Sequence, residues 1–219
     1  MRRRTIFRLL SPIGGLVAKQ LSHPTGWLGR TVMTRVLNRG NRELIMTSVD
    51  NLSPTPEMRL LDVGFGGGLA LQLARQRGVI RLFGVDPSIA AVDALRETST
   101  RWTCGAELHL LEGTVEHLPL ADSAVDAVIS TNTVYFWPDL SRAFFELHRV
   151  LAPRGRLVLG FSSSQKLRSF TTVTRHGFLY YEASELVEQA RVARFSDVRL
   201  IQLDGRDTCG DYNLIAVKG

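Results

Sequence analysis

Near residue 60 the apolar positions of this chain change period. Before it, residues 13–52 show no strand-like alternation, and Gly26, Gly29 and Gly40 punctuate them. That stretch predicts helix and loop, with a helix of about three turns over 41–52. Pro54 and Pro56 then close the region. After it, short apolar runs alternate with segments of helical period. The runs predict strands at 59–63, 82–85, 108–111, 125–130, 157–161, 198–203 and 214–218. The intervening segments predict helices at 69–76, 89–99, 140–150 and 183–193. Repeated β–α–β units imply an α/β fold: a mostly parallel seven-stranded sheet with helices on both faces. The link 204–212 has no room for a full helix, so the last two strands are expected to form an antiparallel hairpin at the sheet edge. The expected organisation is an N-terminal helical cap or leader over 1–56 and a ligand-binding domain over 57–219.

Composition narrows the class without naming it. The 219 residues, 44% apolar and 22% charged, suit one buried core. No run reaches the roughly 18 consecutive apolar residues that span a bilayer. Cys104 and Cys209 are far apart with no CxxC or Cys/His cluster, so neither a metal site nor a disulfide framework is expected. A cytoplasmic chain with reduced thiols is the corresponding expectation. The net charge of +6 is uneven: residues 1–59 carry ten Arg/Lys against three Asp/Glu. The leader Met1–Leu10 holds Arg2, Arg3, Arg4 and Arg8 among apolar residues. It reads as a solvated leader, with peripheral contact to a membrane surface as the alternative.

The chemistry-bearing signal is Asp62-Val63-Gly64-Phe65-Gly66-Gly67-Gly68, which ends one predicted strand and opens a helix. Glycines there allow a sharp turn and a close backbone approach to a ligand. The same turn could merely join strand to helix. Its spacing is G-x-G-x-G. The dinucleotide pattern G-x-G-x-x-G would need glycine where Leu69 stands. An acid at position 62 suits a cationic ligand and would repel a pyrophosphate. Asp86 ends the next strand, 18 residues past Gly68, where a carboxylate can accept from both ribose hydroxyls. Asp86 could equally cap the helix that starts near Ser88.

Further blocks follow in order: Gly84–Asp86, Gly113-Thr114-Val115-Glu116-His117-Leu118-Pro119-Leu120, Val125–Val128 and Leu151-Ala152-Pro153-Arg154-Gly155-Arg156-Leu157. With these, the chain resembles the class I S-adenosylmethionine (SAM)-dependent methyltransferases from about Leu60 to its end, in particular the small type 11 or ubiquinone-biosynthesis-like group. The resemblance implies a Rossmann-like sheet, SAM as cofactor and methyl transfer. It implies that Asp62, Gly64, Gly66 and Gly68 hold the methionine part. Asp86, with Pro87 and Ser88 beside it, would hold the ribose. Thr114, Val115 and Glu116 would flank the adenine, and Thr131 and Asn132 would face the methionine and sulfonium. The chain departs from the family at Thr114, often Asp, and at Ala193-Arg194-Phe195, usually Ala-Gly-Phe.

The acceptor should meet the methyl group beyond the fourth strand, at Thr131–Asp139. Tyr135, Phe136 and Trp137 could wall an apolar pocket there. Tyr135 is the expected pocket residue, and Phe136 is expected to pack beneath the following helix. His23, Trp27 and Met46 could line the site from the N-terminal cap, and 168–181 could add a second lid. Sulfonium methyl transfer needs alignment and water exclusion, and a base only if the nucleophile must lose a proton. Tyr135, His117 and His23 are the weak base candidates; His109 and His148 read as structural, and His176 has no evident partner. A small-molecule acceptor, such as a lipid or secondary metabolite, fits best. The other readings are a SAM-binding partner protein without turnover, a nicotinamide-dependent oxidoreductase, and a nucleic-acid methyltransferase. The oxidoreductase lacks a recognisable Tyr-x-x-x-Lys pair. The nucleic-acid reading lacks a base-flipping motif after the fourth strand, so no nucleic-acid partner is expected.

Overall fold

The computed structural model describes residues 42–169, 179–205, 208 and 210–219. The leader, His23, Trp27, most of the expected cap, His176 and Cys209 therefore lie outside the described residues. The elements are α1 (Arg42–Leu52), β1 (Arg59–Val63), α2 (Leu69–Gln76), β2 (Arg81–Asp86), α3 (Ile89–Ser99), β3 (Glu107–Glu112) and β4 (Val125–Thr131). There follow α4 (Leu140–Val150), β5 (Leu151–Ser162), α5 (Ser164–Ser169), α6 (Ala183–Val192), β6 (Phe195–Leu203) and β7 (Asp211–Lys218). The strands form one sheet in the order β3-β2-β1-β4-β5-β7-β6. The first five are parallel; β7 runs antiparallel to both β5 and β6. The expected architecture, with its antiparallel edge hairpin, is the observed one.

Strand alternation sends side chains to two separate cores. Leu61, Val63, Leu157, Leu159, Phe161 and Leu214 face a layer built by α4 and α6. Leu60, Leu82, Ile129 and Val158 face the other layer, under α1, α2 and α3. Helix α1 puts Ile45, Val49 and Leu52 into that second core. Burial of such aliphatic side chains, at about 1.5–3 kcal/mol each, is what holds a short helix to a sheet.

Four predicted elements, at 59–63, 69–76, 89–99 and 140–150, match the observed bounds. Others differ for local reasons. β5 begins at Leu151, directly after α4, rather than at 157. Arg154 takes a left-handed φ of 64° and the β4–β5 register shifts there, so the strand carries an irregularity that hides its start. β6 and β7 each begin three residues earlier than expected because they pair with one another through Phe195↔Lys218 and Leu203↔Asp211. A 3₁₀ turn at Val134–Phe136 and the short α5 are too brief to show a period.

The segment 118–122 is clamped to α4. Arg149 donates to the carbonyls of Leu118 and Leu120 and ion-pairs with Asp122 and Glu146. Glu146, itself buried, accepts the N–H of Leu118. Removing Arg149 leaves the buried Glu146 carboxylate with only the longer Arg142 pair at 3.7 Å and the Leu118 N–H, and strands two backbone carbonyls. Arg149→Ala should lose about 3 kcal/mol in urea unfolding. Arg154 and Arg194, by contrast, are exposed arginines with φ of 64° and 68°. Arg194 also stands where the resembled family usually carries glycine. Relief of a left-handed side chain outweighs the entropy of an added glycine, so Arg154→Gly and Arg194→Gly should each gain about 0.5–1 kcal/mol.

Candidate cofactor and acceptor site

The C-terminal edge of the parallel strands carries the candidate site, as open α/β sheets require. Alternation puts Asp62 on the face of Leu60, and Gly84 and Asp86 on the face of Leu82. Thr131 shares the face of Ile129, and Gly160 and Ser162 that of Val158. Register then lines these up across the sheet: Asp62↔Gly84, Asp62↔Ile129, Thr131↔Gly160, Gly160↔Asn213 and Ser162↔Asp211. Asp62, Asp86, Thr131, Ser162, Asn213 and Asp211 thus share one face of the sheet.

The glycine turn is left-handed at three places: φ is 73° at Gly64, 49° at Gly66 and 70° at Gly68. The three have different surroundings. A methyl group on Gly64 would come within 2.5 Å of Thr133 Cγ2, and one on Gly68 within 2.6 Å of Leu95 Cδ1. One on Gly66 would meet no atom within 4 Å. Gly64 and Gly68 are therefore closed by the protein's own packing, whereas Gly66 faces open space. The turn is tied down by Gly64 N–H to the Val85 carbonyl at 2.7 Å and Gly68 N–H to the Phe65 carbonyl at 2.7 Å.

Asp86 is buried and accepts the Gly66 N–H at Oδ2 and the Ser88 N–H at Oδ1, both at 2.9 Å. Burial pushes its carboxyl up, and the two N–H donors pull it back. The helix cap belongs to Ser88, whose hydroxyl accepts the Ala91 N–H. Asp86 thus fixes the turn and keeps lone pairs for a ligand's hydroxyls. Asp62 is buried as well, with no hydrogen-bond partner for its carboxylate among the described residues. Burial, and then the Asp86 charge, push it up to about 8.

The other predicted positions spread around this centre. Pro87 is exposed and Ser88 half-buried. Gly113 N–H binds the Asp86 carbonyl, and Thr114 and His117 close a tight turn beyond it. Thr114 is exposed, Val115 buried, and Glu116 half-buried with Oε1 unpaired. Thr131 and Asn132 are half-buried at the end of β4. Asn132 is left-handed, with φ of 55°, and its N–H binds the Gly160 carbonyl.

The aromatic expectation is reversed. Tyr135 is 3% exposed and Trp137 4%, whereas Phe136 is 36% exposed. In the 3₁₀ turn, Tyr135 points inward. Its hydroxyl donates to Asn132 Oδ1 at 3.0 Å and accepts the Ser162 N–H. Burial pushes this phenol well above the ordinary tyrosine range. A phenol so held stays protonated and is a poor base. His117 has an exposed side chain. Met46 is 37% exposed on α1. His109 stacks on Phe83 and His148 packs edge-on against Phe195. Among the described residues no group of His, Cys, Asp and Glu could hold a metal.

Several contributors carry no sequence motif. Ser130 Oγ binds the Val63 carbonyl at 2.6 Å and Thr133 Oγ1 at 2.5 Å, so the loop after β4 is bolted to the end of β1. Ser162 Oγ donates to the buried Asp211 at 2.6 Å, and Asp211 pairs with Lys166 of α5 at 2.7 Å. Only cross-strand register brings these groups together.

Residues 61–159 match a family model described as a methyltransferase domain. The chain is 30% identical over 138 residues to the uncharacterized methyltransferase YdaC of Bacillus subtilis, covering 59% of this chain and 74% of that protein. It is 35% identical over 103 residues to the malonyl-[acyl-carrier protein] O-methyltransferase of Serratia marcescens, covering 47% of this chain and 38% of that enzyme. Against uncharacterized methyltransferases of Mycobacterium the match covers 46% of their length, so the chain spans about half of several relatives. Its fold is similar to a methyltransferase solved with the Trm112 activator of Haloferax volcanii, with TM-score 0.74 at 18% identity over 86% of this chain and 94% of that one. It is also similar to a geranyl diphosphate methyltransferase solved with geranyl diphosphate and sinefungin, with TM-score 0.68 at 17% identity over 81% and 78%. SAM is accordingly the cofactor. The residues present fit it: Gly66 leaves room for a ligand, Asp86 has free acceptor capacity, and Asp62 is an unpaired buried carboxyl beside them.

The glycines should separate by substitution. Gly68→Ala should lower the melting temperature by several degrees through the Leu95 clash. Gly66→Ala should pay only the left-handed penalty of about 1–2 kcal/mol in stability, yet weaken SAM binding in calorimetry by at least about tenfold. Equal SAM affinity in Gly66→Ala and the parent protein would place the cofactor elsewhere.

Proposed function

The chain belongs to the class I SAM-dependent methyltransferase family, and from that membership we propose that it methylates a small, largely apolar acceptor. Bound SAM supplies an electrophilic methyl group whose departure leaves a neutral thioether. The chain's own part is to hold that group in line and keep water out. Gly64, Gly66 and Asp62 line the methionine side. Asp86 takes the ribose, Thr114 and Val115 the adenine, and Thr131 and Asn132 stand nearest the transferring group.

The observation that carries the acceptor reading is the apolar surface beside this edge. Phe136 and Leu179 are 36% and 40% exposed, and the Leu179 N–H binds the Tyr135 carbonyl at 2.8 Å. They sit on the two segments that follow β4 and precede α6. A polar polymer gains nothing from such a surface, whereas a lipid-like or metabolite acceptor does. The reading agrees with the geranyl diphosphate methyltransferase of similar fold, whose acceptor carries an apolar chain. No base is assigned, because Tyr135 is committed to Asn132 and Ser162. We place residues 1–56 as a cap over the acceptor side and 57–219 as the catalytic domain. Among the described residues no helix is long and apolar enough to cross a membrane. A cytoplasmic location, with the basic segment 1–10 read as a solvated leader, completes the proposal.

The deciding experiment incubates the protein with methyl-labelled SAM and fractions of cell extract. Label should appear in the organic-soluble small-molecule fraction. Label confined to RNA, DNA or protein would overturn the acceptor class. Phe136→Ala should then raise the KM for the labelled acceptor roughly tenfold and leave SAM affinity unchanged, the loss expected from one partly buried aromatic contact.

A further inference from the structure

Asp62 and Asp86 stand on the same face of adjacent strands, with Asp62 registered against Gly84, two residues before Asp86. Both are buried. Burial disfavours the charged form of each, and a charge on Asp86 further disfavours one on Asp62. The groups around Asp62 supply no compensating cation. Its neighbour on β4 is Ile129, its neighbour on β2 is Gly84, and Asp86 is the charged group that bears on it. The helices on this face contribute apolar side chains to the core.

Hydrogen bonding decides which carboxyl keeps the negative charge. Each oxygen of Asp86 accepts a backbone N–H, from Gly66 and Ser88. Such donors stabilise a carboxylate. The Asp62 carboxyl has no such donor among the described residues, so the proton of the pair resides there. The effect of a ligand then depends on the ligand's charge. SAM carries a sulfonium. Its product, S-adenosylhomocysteine, has the same adenosine and the same amino-acid ends without that charge.

We propose that Asp62 is protonated in the empty site and releases its proton to solvent when the cationic cofactor binds, so that this one carboxyl distinguishes SAM from S-adenosylhomocysteine. The proton leaves, the carboxylate that forms balances the incoming positive charge, and no other group changes its bonding. Loss of the methyl group removes the cation and Asp62 takes a proton back, so this carboxyl favours the substrate over the product. The proposal rests on SAM as the cofactor.

Calorimetry tests it at about pH 6.5, where the α-amino groups of both ligands are protonated. SAM and S-adenosylhomocysteine are each titrated in phosphate and in imidazole, buffers with different ionisation enthalpies. The expected result is release of close to one proton with SAM and far less with S-adenosylhomocysteine. Asp62→Asn should abolish the release and shrink the preference for SAM. SAM binding with the same enthalpy in both buffers, or release that survives in Asp62→Asn, overturns the proposal while leaving the cofactor in place. Absence of SAM binding by the unaltered protein overturns the cofactor and the proposal together. Should Asp62→Asn bind neither ligand, the unaltered protein decides. A SAM preference that climbs up to about tenfold per pH unit below the midpoint near 8 supports the proposal, and a flat one overturns it. The empty protein gives an independent reading. A carboxyl raised from 3.8 to about 8 adds stability at low pH that is lost as pH climbs through 8. The melting temperature should therefore fall across that window, and the slope should flatten in Asp62→Asn.

Discussion

Asp86 is the group on which the cofactor end of this molecule depends. Its two oxygens hold the N–H groups of Gly66 and Ser88, so one buried carboxylate fixes both the glycine turn and the start of α3. Burial without donors would cost a carboxylate several kcal/mol. The N–H groups offset that cost only while the turn keeps its left-handed form at Gly66. Turn geometry and charge are therefore one constraint. Asp62, one strand away, has no such donors and lives in the field of the first carboxylate. The difference between two neighbouring aspartates comes from backbone N–H placement, not from residue type.

That constraint needs a rigid frame on three sides. Behind the turn, the hydroxyls of Ser130 and Thr133 tie β1 to the loop after β4. Below it, Leu95 of α3 packs against Gly68 and forbids a side chain there. Beyond β3, Arg149 and Glu146 pin the carbonyls and the N–H of 118–120 to α4. None of these residues need touch a ligand. Each removes freedom from a segment that would do so, which is how a site on loops reaches the precision of one built on strands.

What could be read from the chain follows from the range of each signal. The strands and helices around 59–99 and 140–150 are set by local period, and glycine spacing with two acids marks the cofactor end. Residues such as Asp62, Gly66 and Asp86 carry their meaning within about 25 positions of sequence. Ser162, Asp211 and Lys166 do not. They meet because β7 folds back antiparallel to β5 and sets Ser162 opposite Asp211. The early starts of β6 and β7 were hidden for the same reason, since residues such as Ser196 and Asp211 join a strand only through their partners. Arg194 shows the converse: the departure from glycine is visible in sequence, but the left-handed backbone that it strains is visible only in structure.

The reversal at Tyr135 and Phe136 follows from hydrogen bonding rather than hydrophobicity. By polarity alone tyrosine should face the pocket and phenylalanine the core. The 3₁₀ turn offers one inward position there, and the inward neighbourhood holds the Ser162 N–H and the Asn132 carboxamide. A phenylalanine in that place would leave both without the hydroxyl, at about 1–3 kcal/mol for each stranded group. A tyrosine satisfies both while burying its ring. Tyr135 is then the pin that orients Asn132 at the end of β4, and Phe136 is left to present an apolar face outward. Under the proposed function, acceptor recognition and cofactor positioning thus meet in adjacent residues. A change at Tyr135 therefore acts through Asn132 and Ser162, whereas Phe136 lies on the outer side of the turn.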